Sequence, residues 1–334
     1  MNTNDVVITD CNQINKQKWD EFIINHPKGN FFQSSSAYKF FNHIFDFEPF
    51  ALCAAAQGSI LGMLSGITIT EGSVKGYLSR RTVVWGGPVV KENNHNIAEK
   101  LLGELRDKIS IKSIYTEMRN LFDMSYLKSV FHSNEYEFQE HLNYLVPISG
   151  IEENKKRLSM SKRRQIAKGL KAGAEIIEAE NLDQVKEFYD ILSSLYKEKV
   201  KKPLAGFQFF EEFFKNKELG KYFLVKYKGR IVGGIVCPVF KDTIYQWYVC
   251  GLNKEYRNIY PGVLATWAPI EYAAKNGLRY FDFMGAGRPD EVYGVREFKS
   301  KFGGKLVNYG RFVCINKPIL YGIGKAGLKL YQML

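Results

Sequence analysis

No Cys-x-x-Cys pair occurs in this chain. Its five cysteines, Cys11, Cys53, Cys237, Cys250 and Cys314, are scattered and odd in number, which suggests neither a disulfide framework nor a zinc cluster. The histidines His26, His43, His95, His132 and His141 lack metal-ligand spacing, so no metal is expected. No apolar run approaches the ~20 residues of a membrane-spanning helix. Met1-Asn2-Thr3-Asn4-Asp5 lacks the basic-then-apolar start of a signal peptide, so a cytoplasmic protein is expected. Asp282-Phe283 precedes Met284 where a kinase needs glycine, and no His-Arg-Asp loop exists, so that class is excluded. Gly285-Ala286-Gly287 lacks the third glycine and following helix of a dinucleotide site.

What is present describes a globular protein. The 334 residues are 45% apolar and 25% charged, enough for one large or two ordinary domains. A net charge of +12 favours a polyanionic partner: nucleic acid, a nucleotide-sugar diphosphate, coenzyme A or an anionic membrane face. A merely basic cytosolic protein has the same charge. A monomer is expected, with a peripheral position at the inner membrane face as one option.

The stretch from Asp242 to Asn316 organises the rest. It reads as a strand (Thr243–Val249), a loop with Arg257 and Tyr260, a helix from Pro261 to Gly277, a strand (Leu278–Met284) and a glycine-rich loop. Lys299 then falls in a loop before a last strand. Pro269 should kink the helix. The splayed loop and helix N-terminus offer N–H groups and a positive dipole end to an anion. The first half follows the same plan. Helices are expected over Asn15–Asn25 and Ile97–Ile109, with a second helix capped within Ser34-Ser35-Ser36. Pro49–Ala56 reads as a strand, and Ser59–Thr70 and Lys75–Trp85 as a hairpin around Glu71-Gly72-Ser73. Tyr115-Thr116-Glu117 stands where Tyr280-Phe281-Asp282 stands 165 residues later. Two related domains with mixed sheets (α/β, or α+β) follow from that duplication.

Several residues carry candidate chemistry. Lys155, Lys156, Arg157, Lys162, Arg163, Arg164, Lys168 and Lys171 lie within seventeen residues without an acid. Ser159 or Ser161 caps a helix there, with Arg164, Lys168 and Lys171 on one face and Ile166, Ala167 and Leu170 on the other. This face binds phosphates, or is simply solvated. Arg163 and Arg164, near the helix start, are the diphosphate candidates. Asp282 faces the expected cleft and takes a proton from an incoming amine, or pairs with Arg279 or Arg288. Tyr248 and Tyr260 bond substrate near the acyl carbonyl, or are core tyrosines with satisfied hydroxyls. Lys299 is by spacing alone a surface lysine beside Lys301 and Lys305.

Tyr245-Gln246-Trp247-Tyr248, Pro261-Gly262-Val263-Leu264 with Trp267, Gly277 to Phe283, Phe298-Lys299 and Phe302-Gly303 occur in the order seen in one family. With Phe31-Phe32-Gln33-Ser34 and Ser161-Lys162-Arg163-Arg164, the chain resembles the FemAB/FemX family within the GNAT acyltransferase superfamily. The resemblance spans nearly the whole chain and rests on order and spacing. It implies twin GNAT-like domains with a cleft between them: 1–148, completed by a C-terminal helix over 317–334 that packs back, and 149–316. The short segment Lys199–Gly220 leaves no room for the coiled-coil arm of some members, so the armless FemX type is the nearer match. The resemblance further implies that Lys299 stabilises the reacting oxygens with Phe298 shaping the site, and that a lysine near Lys39 holds phosphate. Arg257 to Gly262 occupies the slot of the coenzyme-A loop, but Tyr260 replaces its first glycine and should crowd a pyrophosphate.

Three functions remain open. The first is transfer of an amino acid from aminoacyl-tRNA to an amine of a peptidoglycan precursor, with no cofactor. The second is N-acyl transfer from acyl-coenzyme A or another thioester in lipid or exopolysaccharide synthesis. The third is non-catalytic binding of RNA or a membrane surface.

Overall fold

The computed structural model describes residues 6–10, 13–70 and 79–333. The chain divides into two compact units, 1–140 with 309–334, and 141–308. The turn expected at Glu71-Gly72-Ser73 lies outside the described residues.

The first unit contains β1 (Val7–Asp10), α1 (Lys16–Asn25), α2 (Ser35–Asn42), β2 (Phe47–Ala56), β3 (Ser59–Ile69), β4 (Arg81–Trp85), β5 (Val89–Val90), α3 (His95–Lys108), β6 (Tyr115–Arg119), α4 (Lys128–Ser133) and β7 (Glu137–Gln139). Asn15 and Ser34 cap α1 and α2 with their side-chain oxygens, and Asn94 does the same for α3. Leu101, Leu102 and Leu105 of α3 pack on Leu52, Leu64 and Met118 of the sheet.

The second unit contains β8 (Leu142–Pro147), α5 (Ile151–Arg157), α6 (Met160–Lys171), β9 (Glu175–Glu178), α7 (Leu182–Leu195), α8 (Phe207–Lys215), β10 (Gly220–Tyr227), β11 (Arg230–Phe240), β12 (Thr243–Tyr245), β13 (Tyr248–Gly251), α9 (Pro261–Lys275), β14 (Tyr280–Asp282), α10 (Gly294–Ser300) and β15 (Lys305–Asn308). Helix α9 continues through Pro269, and Leu264, Trp267 and Ile270 are buried against the sheet. The chain then returns to the first unit with β16 (Arg311–Ile315) and α11 (Pro318–Met333).

Among the described residues both sheets have eight strands and one plan, β1-β2-β3-β4-β6-β16-β7 with β5 beside β3, and β9-β10-β11-β12-β14-β8-β15 with β13 beside β11. Each has one parallel pair, β4 with β6 and β12 with β14. Matching hairpins, β2–β3 and β10–β11, turn on Gln57-Gly58 and Lys228-Gly229, all at positive φ as a two-residue turn of this hand requires. The expected breaks at 148/149 and 316/317 are displaced. β8 pairs with β14 and β15, and β16 with β6 and β7, so pairing assigns 142–147 to the second unit and 311–315 to the first.

Candidate active site

The parallel pairing of β12 with β14 lasts three residues, ending at Tyr245 opposite Asp282. Beyond it the strands part. Gln246 N–H still donates to the Asp282 carbonyl at 2.8 Å, but Trp247 N–H turns to the Val236 carbonyl and β13 stays with β11. The chain after Asp282 instead follows β8: Phe283 N–H donates to the Tyr144 carbonyl and Ala286 N–H to that of Leu142. Met284 adopts a left-handed conformation at this turn.

Lys299 closes the turn. It lies in helix α10, not in a loop as the sequence suggested. It is no surface lysine either: only 7% of it is exposed. Its Nζ donates to the carbonyls of Phe283 at 2.9 Å and Gly285 at 2.7 Å. An ammonium has three N–H donors, so one remains for a substrate oxygen. Burial pulls Lys299 down to about 8, against the charge of Asp282, which raises it.

Asp282 is buried on β14. Its Oδ1 accepts from Asn143 Nδ2 at 2.7 Å and from Met284 N–H at 2.6 Å. Burial lifts its carboxyl to about 6; Asn143, the Met284 N–H and Lys299 act in the opposite direction. Neither expected arginine is its partner. Arg279 pairs with Asp242 and Arg288 with Asp290, both at the surface. A buried ammonium and carboxylate, influencing one another and bracketing neutral pH, suit proton transfer and oxyanion stabilisation.

The basic run folds as two helices. Lys155, Lys156 and Arg157 lie in α5 and are offset by Glu152 and Glu153 one turn earlier. Ser159, not Ser161, caps α6. The buried face of α6 is Lys162, Ile166 and Gly169, whereas Ala167 and Leu170 are exposed. Lys162 had no individual role in the sequence argument, yet its Nζ sits 4.3 Å from the centre of the Phe298 ring and 5.8 Å from that of Phe302. Burial, and then Lys301, lower it to about 8. Its spacing with Ile166 and Gly169 was the available signal. Asn143 carried no signal, because it lies 139 residues from Asp282.

Helix α6 links α10 to the loop before α9. At one end Ser159 N–H donates to the Lys301 carbonyl. At the other, Lys168 Nζ donates to Asn258 and Gly169 abuts the Ile259 carbonyl, where a Cβ would stand 2.4 Å from the oxygen. Arg163 and Arg164 are exposed on this helix, and the Arg164 guanidinium meets Met160 Sδ. Arg257 is exposed, its Nε donating to the Lys254 carbonyl. Tyr248 packs among Tyr196, Phe209 and Phe210. Lys39 is exposed in the last turn of α2, in the first unit.

Tyr260 stands just before α9 in a left-handed conformation. Its N–H donates to the Tyr256 carbonyl, and its own carbonyl accepts from Val263 and Leu264. Gly262 N–H donates to Asn253 Oδ1 at 3.0 Å, and Pro261 has no N–H. The donors an anion would use at this helix start are consumed within the chain.

Residues 156–300 match the family model described as an acetyltransferase (GNAT) domain. The chain has a tandem GNAT fold, that of FemX. The FemX crystal structure matches with a TM-score of 0.71 at 15% identity, over 94% of this chain and 99% of FemX. The C-terminal domain of a putative lysylphosphatidylglycerol synthetase from Agrobacterium fabrum matches with a TM-score of 0.61 at 11% identity, over 94% and 96%. A tandem GNAT protein from the clavulanic acid biosynthesis pathway matches with a TM-score of 0.56 at 8% identity, over 93% and 98%. No curated protein sequence matches the chain. The match to an acetyltransferase domain supports the catalytic readings. In this GNAT fold the parting of β12 from β14 lies beside the buried Lys299. Among the described residues no group of His, Cys, Asp and Glu could hold a metal ion, and no helix is long and apolar enough to cross a membrane.

Proposed function

We propose that this chain is an acyltransferase that moves an aminoacyl group from aminoacyl-tRNA to an amine of an anionic cell-wall precursor. The observation that carries the donor assignment is the start of α9. Its N–H groups are taken up by Asn253 Oδ1 and by the Tyr260 carbonyl, and the Tyr260 side chain replaces the glycine of a pyrophosphate loop. That argues for a donor without a coenzyme-A pyrophosphate. The exposed Arg163, Arg164, Lys168 and Lys171 of α6 suit a phosphodiester backbone instead.

In this reading the acceptor amine attacks the ester carbonyl. A C–N bond forms, the carbonyl π pair moves to oxygen, and collapse of the tetrahedral intermediate breaks the C–O bond to the tRNA ribose. Asp282 takes a proton from the amine. The remaining Lys299 N–H stabilises the oxyanion and supplies a proton to the departing hydroxyl. Phe298 and Lys162 shape the wall beside α10. Arg257 and Tyr248 flank the donor.

A lipid acceptor is the second reading, favoured by the fold shared with a putative lysylphosphatidylglycerol synthetase domain. Labelled aminoacyl-tRNA and acyl-coenzyme A, each offered with muropeptide and phosphatidylglycerol acceptors, test both. Transfer from tRNA that disappears in Lys299→Ala supports the donor assignment. Turnover with acyl-coenzyme A alone overturns it, and the productive acceptor decides between the two readings.

A further inference from the structure

The C-terminal helix α11 is joined to the first unit at its start. Asn316 and Lys317 N–H donate to the Ile114 carbonyl, each at 2.9 Å. The Tyr321 ring meets Tyr115 edge-on, with centroids 5.4 Å apart. On another side, α11 turns an apolar stripe outward. Ile319 is 80% exposed and Ile323 is 52% exposed; Ala326, one turn on, is exposed as well. These are i, i+4 and i+7, one face of a helix, and the sequence continues the spacing at Leu330 and Met333. Lys325 lies on the side of Tyr321, 5.3 Å from its ring centre, away from the stripe.

We infer that α11 is an interfacial helix that lays this stripe on an anionic phospholipid bilayer. Charge favours lipid over a second copy of the chain. Residues 317–334 carry Lys317, Lys325 and Lys329 and no acid, and the whole chain carries +12, so two copies repel where an anionic surface attracts. Three glycines in sixteen residues weaken the helix in water, and an apolar surface that covers the stripe restores it. An amphipathic helix with lysines on its polar side has the pattern of a segment lying in the plane of the headgroups. Such anchoring is independent of which donor the second unit uses.

Flotation of the full chain with vesicles tests the inference. Binding to phosphatidylglycerol–phosphatidylcholine vesicles, weakened by salt and absent with phosphatidylcholine alone, is the expected result. Ile319→Asp with Ile323→Asp lowers the partition coefficient at least tenfold, and Lys325→Glu lowers it severalfold. An unchanged melting temperature shows that these exposed substitutions leave the fold intact. Should the aspartate pair prevent folding, Ile323→Trp gives the readout: its added emission shifts to the blue on mixing with anionic vesicles. Absence of wild-type binding, equal binding by the aspartate pair, or an emission that does not move overturns the inference. A dimer that the aspartate pair dissociates, in a protein that ignores vesicles, makes a second copy the occupant.

Discussion

Glu117 and Asp282 occupy the same place in the two units. Each is the third residue of the strand in its sheet's parallel pair, opposite Val83 and Tyr245 respectively. On the other side they face Val313 and Leu145. Two residues along those neighbours stand Arg311 in one unit and Asn143 in the other. The first unit has spent its charge. Burial alone would raise Glu117, but Arg119 and Arg311 override it and hold the carboxyl down to about 2. The same unit is also zipped further. Its parallel pairing runs five residues to Trp85 opposite Arg119, and Gly86 N–H donates on to the Arg119 carbonyl. Gln33 then fills the space beside β3, bonding Ser65 N–H, the Ser65 carbonyl and the Trp85 carbonyl. In the second unit pairing stops at Asp282, asparagine replaces arginine, and a buried lysine takes the loose carbonyls. One scaffold thus supports a locked carboxylate or a titratable one, and the difference lies in the cross-strand neighbour.

The largest effect should come from Lys299→Ala, with kcat falling ~100- to 1000-fold, the usual loss for one oxyanion donor. Glu117→Gln should leave kcat unchanged, and a measurable catalytic defect there would break the contrast. That substitution should instead lower unfolding free energy by ~3 kcal/mol in denaturant titration, because two arginines lose a buried partner. The Glu117 contribution is present above the ordinary glutamate pKa and fades as pH falls toward about 2, so the two proteins should converge in acid.

The second unit should show the opposite sign. Asp282 is raised to about 6, so the stability it gives is present below the ordinary aspartate range and lost as pH rises through 6. Asp282→Asn should therefore be at least as stable as the parent at pH 7, while its rate falls about 100-fold. The pH profile of kcat/KM should be a bell with limbs near about 6 and about 8, set by Asp282 and Lys299. Asp282→Asn should flatten the acid limb. A profile whose acid limb survives that change assigns the base elsewhere. The smallest effect is expected for Lys162→Met. It keeps the stem against Phe298 and Phe302 and loses a cation–π contact of ~1 kcal/mol, so KM for the donor should rise severalfold with kcat nearly constant.

The duplicated plan was legible in the sequence because it is written in local patterns. Asn15 and Ser34 before their helices, the Lys228-Gly229 turn and the alternation around Phe281 each specify an element without help from elsewhere. Lys299 was legible through its pairing with Phe298, but its helix was not: α10 has seven residues and no side-chain cap at Tyr293. The surroundings of Asp282 were half legible. Its strand was predicted, but its environment comes from β8, more than a hundred residues earlier, and charge pairing alone pointed to the wrong arginines. Lys162 was obscured by its neighbours, since a lysine in a basic run reads as solvated until the helix phase places it with Ile166.

The return of the chain to its first sheet has a consequence for biosynthesis. Strand β16 lies between β6 and β7, so that sheet has no continuous interior until residue 315 has left the ribosome. The second sheet, built wholly from 142–308, is complete before then. As domains fold in units during translation, the half that holds Lys299 matures while the opening half still waits for its missing strand.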